Sequence, residues 1–200
     1  MLAPSSAPTR LQPGAAAATI AAVGLAAILG AYFFQYVLGL PPCPLCLEQR
    51  YAYYFSIPLA AMILLGLSVG ASRKVVLLAF LAIAAFMLWN AGLGVYHSGV
   101  EWKWWPGPQD CSGAVPNFST GGSLIDQMNK AKVVRCDEAA WRFLGLSLAG
   151  YNVLISFALA AIAALGAHHL SRTTKDRHLD QKKANDSGEG QSHNDVAPTS

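Results

Sequence analysis

Charged residues are scarce in this chain: Asp, Glu, Lys and Arg make up 12% of its 200 residues, whereas 54% are hydrophobic. A composition this apolar excludes an ordinary soluble domain and favours a protein of the lipid bilayer. The net charge is only +3, and no dense basic run stands beside interleaved aromatic residues. The sequence therefore argues against a nucleic-acid partner.

Long apolar runs are the main feature of the sequence. A hydrocarbon core about 30 Å thick needs about 20 apolar residues of helix to cross it. The runs that meet this requirement contain no Asp, Glu, Lys or Arg, and they span residues 15–40, 51–71, 75–97 and 143–167. Their polar residues Gln35, Asn90 and Asn152 are expected to hydrogen-bond between helices. The predicted fold class is an all-α integral membrane protein, a bundle of four transmembrane helices.

Basic residues outside these runs predict the orientation. Four crossings place both termini on one side, together with the short basic connector at 72–74, and the tail is also rich in Lys and Arg. Because cytoplasmic segments carry the excess of Lys and Arg, both termini are predicted to be cytoplasmic. The chain then divides into a cytoplasmic arm (1–14), a four-helix membrane domain (15–167) with outer loops at 41–50 and 98–142, and a cytoplasmic tail (168–200) expected to be disordered.

Cysteine is also rare, and all of the cysteines fall on the predicted outer face. Cys43 and Cys46 lie in the first outer loop, and Cys111 and Cys136 lie in the second. Disulfides persist in oxidising compartments such as the bacterial periplasm, so the cysteines agree with the orientation. In the second outer loop, residues 123–128 combine an N-cap serine with apolar residues on one helical face, which predicts a short amphipathic helix at the membrane surface.

Cys43-Pro44-Leu45-Cys46 is a dithiol motif at a membrane boundary. The prolines at 41, 42 and 44 resist helix, so the second helix is expected to begin near Leu45 or Cys46. A helix N-terminus, with Arg50 one turn further on the same face, favours the thiolate form of Cys46. From these residues alone, the pair could be a thioredoxin-like dithiol, half of a zinc site or a structural disulfide. Arg50 could bind a ligand or snorkel at the interface.

Cys111 and Cys136 are the second set of cysteines. Their positions in the sequence are compatible with two roles. A structural disulfide across this loop would contribute about 3 to 4 kcal/mol of stability. A disulfide on the same membrane face as a Cys-x-x-Cys pair could instead exchange electrons with it. The histidines at the start of and within the tail are irregularly spaced, so no metal site is predicted.

These motifs together resemble one known family. Pro41-Pro42-Cys43-Pro44-Leu45-Cys46 precedes Arg50, a two-cysteine outer loop follows, and Cys136 opens the run Cys-Asp-Glu-Ala-Ala-Trp-Arg-Phe-Leu-Gly-Leu. Over residues 15–167 this pattern is similar to the disulfide bond formation protein B (DsbB) family. The Trp-rich stretch 101–108 is also similar to the DsbI-like branch of that family.

The resemblance implies a thiol oxidoreductase of the bacterial inner membrane, which reoxidises a periplasmic DsbA-like thioredoxin-fold oxidase and passes the electrons to ubiquinone or menaquinone. It implies that a Cys111–Cys136 disulfide accepts electrons from the partner, with Cys111 in the mixed disulfide. Cys136 would then attack Cys43, leaving Cys46 as the thiolate that engages the quinone. Arg50 corresponds to the quinone-binding arginine of the family.

Two residues near these positions are not assigned to the predicted site. Gln49 stands where some members of the family carry an acidic residue, and His97 lies near a histidine found in some members. A vitamin K epoxide reductase-like protein is an alternative, since it also combines a helix bundle, a Cys-x-x-Cys pair and quinone, but its loop cysteines precede the dithiol. The non-enzyme alternatives are a membrane protein that binds zinc through its thiols and one with two structural disulfides.

Overall fold

Helices dominate the computed structural model, which describes residues 12–108 and 136–192. The long helices are α1 Pro13–Tyr32, α2 Pro44–Ser68, α3 Arg73–Glu101 and α4 Leu148–Ser192. A π-helical turn, Phe33–Val37, extends α1. Two short strands, β1 Arg142–Phe143 and β2 Leu146–Ser147, pair antiparallel as a hairpin immediately before α4.

Each of the four helices is long and apolar enough to cross a bilayer. The candidate spans are Pro13–Val37, Pro44–Ser68, Arg73–Glu101 and Leu148–Arg172. Their outward faces expose large hydrophobic side chains, which suits contact with lipid; examples are Leu29, Leu65, Leu78, Trp89 and Leu154. The prediction of a four-helix integral membrane fold is confirmed.

The bundle core receives side chains from every helix. Fully buried residues include Ile20 of α1, Ile63 of α2, Phe80, Ile83 and Met87 of α3, and Leu159 of α4. Small residues let the backbones approach: a Cβ added at Gly94 of α3 would lie 2.7 Å from Val153 Cγ2 of α4. Because lipid tails are as apolar as the side chains, close packing of this kind is a main source of helix association in membranes.

The ends of the first three helices differ from the predicted boundaries. The helical run of α1 stops at Val37 rather than residue 40, since Gly39 takes a φ of 66°. α2 begins at Pro44, within two residues of the expected start near Leu45 or Cys46, so the helix extends well before the apolar run at 51–71 and most of the predicted loop 41–50 is helical. Proline suits the first helical position because the N–H it lacks would have no partner there. α3 continues past residue 97 to Glu101.

The predicted start of the fourth helix at residue 143 is wrong, because the β1–β2 hairpin precedes α4. Leu144 and Gly145 connect the strands with φ values of 50° and 82°. Two consecutive positive φ values are typical of a two-residue hairpin turn and are incompatible with a right-handed helix. α4 can therefore begin only after the hairpin closes, at Leu148.

The tail also differs from the sequence-based expectation. A disordered segment is predicted from residue 168, but α4 continues as helix to Ser192. Extending an existing helix needs no new nucleation, an effect that compositional signals of disorder do not capture. The predicted surface helix at 123–128, Cys111 and most of the N-terminal arm lie outside the described residues.

Gly94→Ala is expected to destabilise the bundle. The added Cβ meets the stiff side chain of Val153, so α3 and α4 must separate, and overpacking of this kind lowers the free energy of unfolding by about 1–3 kcal/mol. Gly92→Ala is the matched control, because a Cβ there meets no atom of the described residues within 4 Å. Thermal unfolding in detergent, followed by circular dichroism, checks the difference. Equal midpoints for the two variants would contradict the close packing.

Candidate functional site

The dithiol motif caps α2. Cys43 has extended backbone angles (φ −75°, ψ 165°) and is the N-cap residue, and Pro44 takes the first helical position. The backbone N–H of Cys46 donates to Cys43 Sγ over 3.2 Å, which satisfies one of the amides left free at a helix start. Both thiols are free, with Cys43 buried and Cys46 partly exposed. The structure therefore holds this pair in its dithiol state.

The two sulfurs of the motif are not equivalent. The Cys43 thiol donates a hydrogen bond to the Cys46 sulfur. This hydrogen bond, together with burial, raises the pKa of the Cys43 thiol. Cys43 thus keeps its proton to higher pH than an ordinary cysteine. The guanidinium of Arg50 interacts electrostatically with the other sulfur, that of Cys46.

His97 is a residue of the site that sequence reasoning did not assign. It is buried near the end of α3, and its Nε2 atom lies 3.6 Å from Cys43 Sγ. Glu101, one turn further along α3, places Oε1 3.7 Å from the same nitrogen. The signal that could have found them is the i, i+4 spacing of His97 and Glu101 at the polar end of an apolar run, which puts both on one helix face.

Gln49 joins His97 to a buried chain of hydrogen bonds. Its Nε2 lies 2.9 Å from His97 Nδ1, and its Oε1 accepts from Asn152 Nδ2 over 2.8 Å. Asn152 Oδ1 accepts in turn from the hydroxyl of Tyr53 over 2.6 Å. Because unpaired polar groups are costly in a membrane interior, these bonds fix how α2, α3 and α4 are rotated relative to one another.

The polar residues within the predicted helices do bond between helices, as expected. Asn90 Nδ2 of α3 donates to Ser156 Oγ of α4 over 2.9 Å and lies 3.3 Å from Asn152 Oδ1. Gln35, in the π-helical turn after α1, accepts a hydrogen bond from Arg50 of α2. The prediction for Gln35, Asn90 and Asn152 is confirmed.

Arg50 lies where α1 and α2 meet. Its Nη1 donates to Gln35 Oε1 over 2.7 Å, and its guanidinium carbon lies 5.3 Å from the centroid of the Tyr32 ring. A π-helical turn inside a helix often marks a functional position, and here it presents Gln35 to the guanidinium. These two contacts hold the positive charge between the helices, one turn along α2 from Cys46.

A cavity of about 290 Å³ opens beside these side chains. Its polar wall consists of Cys46, Gln49, Arg50, His97 and Asn152, and apolar residues of α1 and α4 form much of the rest. Pockets that bind small molecules begin at about 300 Å³ and combine an apolar wall with a few convergent polar groups. The cavity therefore has the character of a small-molecule site with a thiol in its wall.

Cys136 lies at the dithiol motif. It is disulfide-bonded and belongs to one buried cluster with Cys43, Leu45 and Val100, against which Cys46 packs. Its predicted partner, Cys111, lies outside the described residues. The structure thus brings one cysteine of the loop into the buried cluster of Cys43, and Cys46 lies between this cluster and the cavity.

The fold and the site define a class of protein: a four-helix membrane bundle that carries a dithiol at one end, between a cavity and a further, disulfide-bonded cysteine. The chain belongs to the DsbB family, since the family model for disulfide bond formation protein DsbB matches residues 13–166. The family predicted from the sequence is confirmed, and with it a membrane oxidoreductase of disulfide formation.

Several curated relatives bear the name disulfide bond formation protein B. The protein from Xanthomonas euvesicatoria pv. vesicatoria is 34% identical over 173 residues, which cover 80% of this chain and 91% of the relative. The protein from Xanthomonas oryzae pv. oryzae is 32% identical with the same coverage. The protein from Albidiferax ferrireducens is 29% identical over 154 residues, 74% of this chain and 81% of its own length. The likeness to the DsbI-like branch stays a prediction.

Proposed function

We propose that this protein is a thiol:quinone oxidoreductase that reoxidises a periplasmic DsbA-like thioredoxin-fold oxidase. Two electrons and two protons leave the dithiol of the partner and end on ubiquinone or menaquinone. The observation that carries the proposal is the different position of the two sulfurs of one motif: Cys43 is buried in one cluster with Cys136, whereas Cys46 lies at the edge of that cluster and borders the cavity. A purely structural disulfide gains nothing from having one sulfur at each of these two places.

In the proposed reaction, the thiolate of the partner attacks Cys111, and the Cys111–Cys136 disulfide opens. The Cys136 thiolate then attacks Cys43 Sγ, and the bond between Cys43 and Cys46 breaks, with Cys46 as the leaving thiolate. The second thiolate of the partner attacks the mixed disulfide, so the partner leaves with its own disulfide and Cys111 is freed as a thiolate. Cys111 then attacks Cys136, which breaks the Cys43–Cys136 bond and leaves Cys43 and Cys46 as a dithiol. The packing of Cys136 against Cys43 supports this direction of attack.

The residues around the cavity fit a quinone ring. A planar ring with two carbonyl groups needs apolar walls and a small number of hydrogen-bond donors, and α1 supplies such walls opposite Gln49, Arg50 and His97. A volume of about 290 Å³ suits a head group and leaves an isoprenoid chain to the lipid. A bound quinone would supply the oxidising power by accepting two electrons and two protons. Cys43 and Cys46 form their disulfide as they release these two electrons and two protons.

We propose a location in the bacterial inner membrane, with both termini in the cytoplasm and the cysteines on the periplasmic side. Arg73 and Lys74 begin α3, directly after the short connector from α2, and this connector lies at the end of α2 opposite to Cys43. Excess basic charge is typical of cytoplasmic connectors, and persistent disulfides are typical of the periplasm, so both ends of α2 support this orientation.

Cys46→Ser is expected to reduce quinone turnover to the uncatalysed background, because no sulfur then remains at the cavity wall to form the Cys43–Cys46 disulfide. The assay mixes the membrane-embedded protein with a reduced DsbA-type partner and each quinone, and it follows quinone absorbance. Leu47→Ser is the control, since it introduces the same side chain at the exposed neighbouring position. Wild-type turnover by Cys46→Ser would refute the proposed role.

Arg50→Gln is expected to raise the KM for quinone by about 10- to 100-fold, because a hydrogen bond to a charged group contributes about 1.5–3 kcal/mol. The kcat at saturating quinone should change much less. Arg172→Gln, the same change at an exposed position near the other end of the bundle, serves as the control. If Arg50→Gln and Arg172→Gln have the same KM for quinone, the proposed role of Arg50 in quinone binding is wrong.

A further inference from the structure

Three potential metal ligands meet at the start of α2. Cys43, Cys46 and His97 each offer one ligand atom, and these atoms all lie within 4.8 Å of one another. Both thiols are free, and Cys43 and His97 are buried. Two cysteines and a histidine are typical zinc ligands. Among the divalent ions of cells, Zn²⁺ is therefore the one that this set of donors favours.

The distance between Cys43 and His97 suits tetrahedral zinc. Zn–S bonds of about 2.3 Å and Zn–N bonds of about 2.0–2.1 Å separate a sulfur from a nitrogen by about 3.6 Å at a tetrahedral angle. The separation of Cys43 Sγ and His97 Nε2 is 3.6 Å. This edge of a coordination tetrahedron is therefore present before any side chain moves.

Glu101 lies beside this group, is the candidate for a fourth ligand, and gives an independent reason to expect a cation. Its side chain is only 5% exposed, and its Oε1 lies 3.7 Å from His97 Nε2. The carboxyl group interacts with the Ser147 side chain and with the charge of Arg142, but its other oxygen, Oε2, is buried and has no hydrogen-bond partner among the described residues. A buried carboxylate oxygen without a donor is uncommon, because the desolvation of such an atom is costly unless a donor or a cation faces it.

The charges also balance. One Zn²⁺ with two thiolates and a neutral imidazole carries no net charge, which lowers the cost of burial at a membrane boundary. An ionised Glu101 would add a single negative charge. Arg50 and Arg142 interact electrostatically with Cys46 and Glu101, respectively, and would offset that charge.

We propose that the reduced dithiol, together with His97 and Glu101, forms a Zn²⁺ site that exists only in the dithiol state. Binding replaces the two thiol protons with one metal ion and involves no electron transfer. The proton of the neutral His97 ring moves from Nε2 to Nδ1, and the Gln49 amide must turn so that its oxygen faces Nδ1. Oxidation to the Cys43–Cys46 disulfide removes both thiolate ligands and releases the metal. The sequence predicted no metal site because His97 and Glu101 are brought to the dithiol only by the packing of α3 against α2.

A functional consequence follows and rests on the proposed function. Zn²⁺ on the Cys46 thiolate occupies the sulfur that would close the disulfide, so zinc in the periplasm would hold the enzyme reduced. Metal binding itself does not depend on the proposed function. Quinone turnover in zinc-free buffer tests the proposed function, and metal stoichiometry without quinone tests the site.

The experiment uses the full-length chain in detergent with Cys111→Ser and Cys136→Ser, so that the dithiol provides the only thiols. The protein is reduced with a phosphine, desalted without oxygen and titrated with Co²⁺, whose thiolate complexes absorb in the near ultraviolet. We expect one Co²⁺ per chain with this absorption and its loss when one equivalent of Zn²⁺ is added. The tail histidines cannot produce a thiolate band, so metal bound there is not counted.

Three comparisons make the result decisive. The oxidised protein needs no further substitution and should show no thiolate band; a band there would overturn the proposal. His97→Asn and Glu101→Gln should each weaken Zn²⁺ binding by at least about 10-fold, whereas Glu48→Gln, on the exposed face of the same region, should not. Unchanged binding in His97→Asn overturns the site, and unchanged binding in Glu101→Gln overturns the four-ligand arrangement.

Discussion

The start of α2 is the constraint on which the rest of the site depends. Proline at position 44 can occupy the first turn of a helix but not its interior, so the helix begins there and Cys43 becomes its cap. Helical geometry then places Cys46 and Arg50 four residues apart on one face, towards the cavity, while Cys43 remains outside the helix against Cys136. The start of the helix therefore gives the two sulfurs of the motif different surroundings.

The buried hydrogen-bond chain holds this start of α2 in register with its neighbours. Gln49 bonds to His97 of α3 and to Asn152 of α4, and Arg50 bonds to Gln35 beyond α1. Apolar helices in lipid can rotate and slide with little change in solvation, so paired polar groups and close glycine contacts determine a unique arrangement. Gln49, Arg50, His97 and Asn152 thus order the bundle and also line the cavity.

Much of the fold could be predicted from the sequence, because membrane spans depend on composition and length, which are local properties. The dithiol and Arg50 were also predictable, since their spacing lies within two helical turns. His97, Glu101 and the link from Gln49 to Asn152 were not, because they depend on how α3 and α4 pack against α2. The start of α4 was missed because a left-handed turn at Leu144 and Gly145 interrupts a run whose composition favours helix.

The central claim is that Cys43, and not Cys46, receives the loop cysteine. The most direct test is disulfide mapping by mass spectrometry of a Cys46→Ser, Cys111→Ser protein, in which Cys43 and Cys136 are the only cysteines. The account predicts that these two form an intramolecular disulfide under mild oxidation, whereas a Cys43→Ser, Cys111→Ser protein leaves Cys46 and Cys136 mostly as free thiols. Equal or faster closure of the Cys46–Cys136 pair would contradict it.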